Sequence, residues 1–289
     1  MSTDQPRPLV AITFDFGNTL VPVDRRSLDA VVGVLADTSA ARLGVARDGF
    51  VATWREERAR QLREEVPHFR ETDLAQRLRR VLARLRGMAP PAPDEPWDDA
   101  AAATLSTAAE VDLGIDVYSR AFVAGVPPEP AVRELLARLA LRYRLGILSN
   151  WPLAATIERY AEAAGWSSHL TAIVVSERVG TIKPHPAIFR AAEAALAAPG
   201  APPLAPAGIL HVGDDWAADV VGAVRAGWRV AHLRTRPAES ALPVSEPDGG
   251  AEPDLTLDGL ADLEPALVAL SARGPSSHRR ARVARRARG

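Results

Sequence analysis

The sequence contains no cysteine, which excludes a disulfide framework, a thiolate nucleophile and any cysteine-based zinc site. Histidine is scarce too: six residues, none paired at helical ligand spacing, so any metal here must be held by oxygen. Long apolar runs are missing. None approaches the ~18 residues of a membrane span, and Met1-Ser-Thr-Asp-Gln-Pro6 has neither the basic region nor the apolar core of a signal peptide. A cytoplasmic protein without membrane contact is expected. Lysine is the rarest of all: of 35 Lys and Arg residues, 34 are arginine and one, Lys183, is lysine. In a chain that uses arginine everywhere else, the exception marks a place where a compact ammonium is needed and a planar guanidinium does not fit.

What is present is an ordinary globular composition, 289 residues with 47% hydrophobic content and a net charge of −1. That suffices for one sizeable core and a smaller appended domain. The charge is uneven. Residues 273–289 carry seven arginines and no acid around a Gly-Pro-Ser-Ser break, and the expectation for 272–289 is a solvated, disordered tail. Such a tail leaves contact with nucleic acid open, although a nucleic-acid partner is not expected.

One stretch organises the rest. In Leu9-Val-Ala-Ile-Thr-Phe-Asp-Phe-Gly-Asn-Thr-Leu20 an apolar run ends abruptly at Asp15, which predicts a buried strand at 9–14 followed by a turn at Gly17 and Asn18. Further strands are predicted at 145–148, 172–175, 209–212, 228–233 and 254–257. Helices are predicted at 131–141, 154–164, 187–196, 219–226 and 260–270. Alternation of this kind predicts an α/β fold with a doubly wound parallel sheet. Far more chain separates Thr19 from Ser149 than one crossover needs, and it is helical: Leu74, Leu78, Val81, Leu82 and Leu85 recur at helical spacing, with arginines assigned to the other face. Four or five helices are expected there, with Trp54, Trp97 and Phe122 assigned to the core in preference to a pocket. The organisation expected is a core domain of 8–21 and 127–271 with a helical cap domain of 22–126.

The polar residues fall at strand ends. Asp15 closes the first run, Ser149 and Asn150 the second, and Asp214 and Asp215 the run at 209–212. Lys183 lies between them, in Gly180-Thr-Ile-Lys-Pro-His-Pro186. In one parallel sheet all of these groups come out on the same edge, where open α/β sheets bind ligands. Asp15, Asp214, Asp215 and Asp219 would repel one another unless a cation compensates them, and hard oxygen ligands suit Mg²⁺. Lys183, Ser149 and the N–H groups of the turn after Asp15 would then hold phosphate oxygens while a carboxylate attacks phosphorus.

Asp15-Phe-Gly-Asn-Thr19, Ser149, Lys183-Pro and Gly213-Asp-Asp-Trp-Ala-Ala-Asp219 resemble, in order, the four motifs of the haloacid dehalogenase-like (HAD) hydrolases. The resemblance spans roughly residues 10–270 and includes a helical cap between the first and second motifs. It implies a Rossmann-type core, Asp15 as nucleophile and metal ligand, and Mg²⁺ on Asp15, the Gly17 carbonyl and Asp214. Phosphate contacts would come from Asn18, Thr19, Ser149, Asn150 and Lys183, with Asp219 orienting the lysine or water and Asp215 in support. The substrate implied is a small phosphorylated metabolite, hydrolysed through an aspartyl-phosphate.

One position departs from that pattern. Phosphatases of this kind carry a second aspartate two residues after the nucleophile, and here it is Gly17. Three rival readings follow: a 2-haloacid dehalogenase, which lacks that aspartate but needs no Mg²⁺; a weakened HAD-fold protein that binds a phosphorylated ligand without turning it over; and a receiver domain, which the order of the motifs and the cap disfavour.

Overall fold

The computed structural model describes residues 8–93 and 95–272; the arginine-rich segment expected to be a tail lies outside them from residue 273 onward. Strands β1 (Ala11–Phe14), β2 (Arg144–Ser149), β3 (Ala172–Val175), β4 (Ile209–Gly213), β5 (Arg229–Leu233) and β6 (Leu255–Leu257) form one sheet in the order β3-β2-β1-β4-β5-β6. Every pairing is parallel. The two central strands are buried throughout, because a strand with no polar face must be covered on both sides. Ile12, Phe14, Ile147 and Val212 face one core and Ala11, Leu148, Ile209 and Val230 the other, the alternation that a sandwiched sheet requires. The chain leaves β1 towards β2 and β3, then returns across β1 to β4. Strand order reverses there, and the crevice at such a switch point is where this architecture binds ligands.

Between β1 and β2 the described chain forms α1 (Arg25–Leu43), α2 (Arg47–Glu65), α3 (Leu74–Leu85), α4 (Asp99–Thr104) and α5 (Ala108–Gly125). Their starts are written locally. Asp24 accepts from Ser27 N at 2.6 Å, Asp73 from Ala75 N and Gln76 N, and Thr107 and Glu110 form a capping box. Leu74, Leu78, Val81 and Leu82 line the buried side of α3 as the periodicity predicts, and Trp54, Trp97 and Phe122 are core residues. The arginines of α3 do not all face water. Arg77 and Arg80 are buried, because α2, α4 and α5 surround this helix and leave it little free surface.

The remaining helices are α6 (Pro130–Ala140), α7 (Ala154–Ala163), α8 (Ser176–Val179), α9 (Pro186–Ala195), α10 (Gly222–Ala226) and α11 (Leu263–Ala272). The helix predicted from residue 219 begins earlier, with a π turn at Trp216–Val221 in which Val220 N reaches the Asp215 carbonyl at 3.3 Å. Wide turns of this type are frequent at functional sites, and this one carries Asp219. The connection from β5 to β6 had no predicted structure. It runs back across the strand ends as a strap: Glu239 O accepts from Arg25 N at 2.9 Å, Ala241 N donates to Val23 O at 3.1 Å, and Ser245 N donates to Asp215 Oδ2 at 2.7 Å. No helix among the described residues is long and apolar enough to cross a membrane.

Candidate active site

The carboxyl ends of β1, β2 and β4 converge on one buried ammonium. Asp15 follows β1, Ser149 ends β2, and Lys183 enters from the loop between α8 and α9. Lys183 is 2% exposed. Its Nζ donates to Asp15 Oδ1 at 2.7 Å, Asp219 Oδ1 at 2.6 Å and the Leu148 carbonyl at 2.7 Å, using all three of its protons. Ser149 Oγ adds a bond to the same Asp15 oxygen at 3.0 Å. Oδ1 of Asp15 is thereby fixed, while Oδ2 has no donor among the described residues and the side chain stays 13% exposed. A carboxylate held by one oxygen and open at the other is oriented for nucleophilic attack.

Asp219 is locked from three sides. Besides Lys183, it meets His211 Nε2 at 2.9 Å, and its Oδ2 accepts from Asp215 N at 2.9 Å. The parallel register sets Thr13 beside His211, and Thr13 Oγ1 lies 2.9 Å from His211 Nδ1. Burial lowers the His211 pKa, so the ring is neutral at pH 7: Nε2–H donates to Asp219 and Nδ1 accepts from Thr13. Gly213 makes room for this, because a β-carbon there would run into the Asp219 carboxyl group. Burial raises Asp219, yet Lys183 and His211 outweigh it and hold the carboxyl below the ordinary range. Burial likewise works against the Lys183 charge, and Asp15 and Asp219 overcome it, raising its pKa.

Asp15 and Asp214 differ from Asp219. Burial lifts Asp15 to about 6 against the pull of Lys183. Burial, then the negative charges of Asp15 and Asp219, lift Asp214 to about 8, with Arg236 opposing. Oxygen atoms of Asp15, Asp214 and Asp219 lie within 4.8 Å of one another. Two carboxylates that resist ionisation beside a third are what a site for a hard divalent cation looks like without its ion. The Gly17 carbonyl, in the turn after β1, accepts no hydrogen bond among the described residues. The carboxylates of Asp15 and Asp214 can therefore hold a divalent cation, whereas the Asp219 oxygens are already occupied.

The other expected site residues divide. Thr19 Oγ1 lies 3.4 Å from Asp214 Oδ1, at the edge of the acidic group. Asn150 turns to Lys183, accepting from its N–H at 2.7 Å and donating to its carbonyl at 3.0 Å, so its side chain fixes the lysine loop. Asn18, in the left-handed region at φ 59, donates to Ser240 Oγ at 2.9 Å and accepts from Val23 N at 3.1 Å, tying the β1 turn to the strap. Asp215 points away from the triad; it caps the π turn through Ala218 N at 2.7 Å and accepts from Ser245 Oγ at 2.8 Å.

Three residues here had no signal strong enough to single them out. Thr13 and His211 are polar residues inside buried strands, a pattern that could have flagged them. Arg236 lies in the unpredicted strap; its Nε is 3.0 Å from Asp214 Oδ2 and its Nη2 donates to the Asp214 carbonyl.

The doubly wound parallel sheet thus gathers an aspartate, a buried lysine and an acidic triad at its switch point. The chain belongs to the haloacid dehalogenase-like hydrolase family, whose description matches residues 9–227. Over 144 residues it is 30% identical to the pyrimidine 5′-nucleotidase YjjG of Escherichia coli strain K12; the match covers 48% of this chain and 56% of that relative, so it spans little more than half of the relative's length. Its fold is similar to a 2-haloacid dehalogenase from Pseudomonas syringae pv. Tomato DC3000 (TM-score 0.62, 23% identity, 90% of this chain and 98% of that one). It is also similar to Bacillus subtilis YfnB bound to magnesium (TM-score 0.54, 17% identity, 90% and 99%).

Proposed function

We propose that the protein is a Mg²⁺-dependent phosphatase of small phosphorylated metabolites that works through an aspartyl-phosphate. The observation that carries this reading is the acidic triad beside a lysine-held aspartate, with oxygen atoms of Asp15, Asp214 and Asp219 within 4.8 Å. A 2-haloacid dehalogenase shares the nucleophile but has no use for a cation, and so less reason to gather three carboxylates around only two cationic side chains, Lys183 and Arg236.

An oxygen of the Asp15 carboxylate attacks phosphorus, the bond to the leaving oxygen breaks, and water supplies the proton that oxygen takes. Water then attacks the acyl phosphate, regenerating the carboxylate and releasing inorganic phosphate. Lys183 balances charge on Asp15 and on the phosphoryl oxygens, Ser149 orients Asp15, and Asp219 with His211 and Thr13 holds the ammonium in line. When bound at Asp15, Asp214 and the Gly17 carbonyl, Mg²⁺ supplies further positive charge beside the phosphoryl group.

The helices of 22–126 are read as a cap over a core of 8–21 and 127–271. Phe122 of α5 supports this, with its ring 6.1 Å from Phe16 and 5.2 Å from Trp151, as does Ile182 N, which donates to Phe69 O at 3.0 Å. Turnover of a panel of aryl, acyl and alkyl phosphates, including pyrimidine nucleoside monophosphates, with and without Mg²⁺ tests the proposal. Phosphate release only with the metal is expected. Metal-independent halide release from a 2-haloacid, with no phosphate release, would replace it with the dehalogenase reading.

A further inference from the structure

The loop between α2 and α3 meets the catalytic edge at two points. Phe69 lies in the left-handed region at φ 56, a conformation that a bulky residue keeps only where its surroundings impose it. Its carbonyl accepts from Ile182 N at 3.0 Å, and its ring lies 6.0 Å from that of His185. Those two residues bracket Lys183. The second point is Glu71, whose Oε2 accepts from the hydroxyl of Ser176, the fully buried first residue of α8. The same serine oxygen accepts from Trp151 N at 2.9 Å. Glu71 Oε1 is held by Thr72, from N at 2.7 Å and Oγ1 at 3.1 Å.

These contacts close a ring. Trp151 follows Asn150, whose side chain accepts from Lys183 N at 2.7 Å and donates to Lys183 O at 3.0 Å. Lys183 follows Ile182, which returns to Phe69. From Glu71 through Ser176, Trp151, Asn150, Lys183 and Ile182 to Phe69, each link is a hydrogen bond or a peptide bond. Displacing Glu71 therefore pulls on the chain at 149–151 and on the lysine loop together. Ser149 and Lys183 are the groups that hold Asp15 Oδ1, at 3.0 Å and 2.7 Å. Burial raises the pKa of Glu71, because its oxygens exchange water for neutral hydroxyl and amide partners.

We infer that Glu71 is a positioning residue of the active site: bonded to Ser176, it fixes the Trp151 backbone and with it the two groups, Ser149 and Lys183, that aim the Asp15 carboxylate. The inference rests on the phosphoryl-transfer reading for what that carboxylate does, and it extends the machinery of the reaction to a residue of the helical segment 22–126.

The test compares full-length wild type with Glu71→Ala, Glu71→Gln, Ser176→Ala and the Glu71→Ala/Ser176→Ala pair, in Mg²⁺ with phenyl phosphate, well below their melting temperatures. Glu71→Ala should lower kcat on the order of 10- to 100-fold, the scale of a small misplacement of reacting groups, with kcat falling by a larger factor than KM rises. Ser176→Ala should lower kcat as much, and it covers the case in which Glu71→Ala does not fold. The pair should lose no more than either single variant, because the same link is broken in all three. Glu71→Gln should recover most of the loss. Its amide oxygen can accept from Thr72 and its NH₂ can donate to Ser176 Oγ, whose hydroxyl then turns to the Trp151 carbonyl, 3.4 Å away. A lower melting temperature with kcat unchanged, or losses that add in the pair, overturns the inference.

Amide hydrogen exchange at single-residue resolution reads the same link without turnover. Lys183 N–H donates to Asn150 and not to the helical segment. Its exchange should quicken in Glu71→Ala and Ser176→Ala, by a larger factor than that of the β1 and β4 amides that report global stability, and return towards wild type in Glu71→Gln. Faster exchange confined to Ile182, which bonds Phe69 directly, or no change at Lys183 overturns the positioning role. If the wild type hydrolyses no phosphate ester, the phosphoryl-transfer reading fails by itself, and exchange at Lys183 alone decides for Glu71.

Discussion

Leu242 of the strap packs its Cδ1 against Gly17, so closely that a β-carbon on residue 17 would fall well inside van der Waals contact; Trp151 closes the other side at 3.3 Å. Gly17 does not sit at a positive φ. Its backbone would accept a side chain, and the atom that crowds the position is the end of the flexible Leu242 side chain.

Without a side-chain acid at residue 17 an alkoxide must leave with help from water only, and general acid help is typically worth ~100- to 10,000-fold. Aryl phosphates, acyl phosphates and phosphoanhydrides should therefore be turned over far faster than alkyl phosphomonoesters. Gly17→Asp requires the end of the Leu242 side chain to shift, and both Gly17→Asp and Gly17→Asp with Leu242→Ala should raise alkyl phosphomonoester hydrolysis more than aryl phosphate hydrolysis. Rates across leaving groups of graded pKa provide the measurement. A flat dependence in the wild type, with a nucleoside monophosphate as best substrate, would mean that another residue donates the proton.

Asp15→Asn should abolish turnover and keep the fold, since the amide is nearly isosteric and still meets Ser149 and Lys183 but cannot attack phosphorus. Circular dichroism with a turnover assay checks both halves. Activity near wild type would remove Asp15 from the role of nucleophile.

Lys183→Arg keeps the charge but not the shape. The ammonium fills a pocket bounded by Asp15, Asp219 and the Leu148 carbonyl, and a guanidinium there must push Asp15 aside; a displacement near 1 Å costs ~100-fold in rate. Lys183→Met should instead cost stability, about 3–5 kcal/mol, because Asp15 and Asp219 are left buried without their cation. Denaturant melts and kcat separate the two effects. Equal kcat for wild type and the arginine variant would make the lysine a bystander in catalysis.

Metal and pH should be coupled. Asp15 and Asp214 bind protons more tightly when folded, at about 6 and about 8 against an ordinary 3.8. In the metal-free protein they therefore make stability fall as pH rises from the unfolded value through those pKa values. Asp219 and Lys183 shift the opposite way, each favouring its charged form in the fold, and both stay charged across that window. Mg²⁺ displaces the extra protons, so its effect on Tm should be larger at about pH 8.5 than at about pH 5, with proton release on binding near neutrality. Asp214→Asn should weaken the metal effect. A Tm shift by Mg²⁺ that is the same at both pH values would count against a site on these carboxylates.

The sequence by itself determined the sheet and the chemical inventory. Apolar runs that end in Asp15, Ser149 and Asp214 specify buried parallel strands by local hydrophobicity, each strand lying within a residue or two of its predicted place, and a lone lysine among 34 arginines pointed to Lys183. Tertiary structure alone decided how those groups divide the work. The strand register brings Thr13 beside His211 across nearly two hundred residues, and a π turn swings Asp219 onto Lys183 while Asp215 becomes a cap. The β5–β6 strap lays Leu242 on Gly17 and Arg236 on Asp214. None of these contacts has a periodicity or a spacing. Each depends on where distant backbone segments meet, and that is set by packing of the whole sheet and its helices, which no short window of sequence encodes.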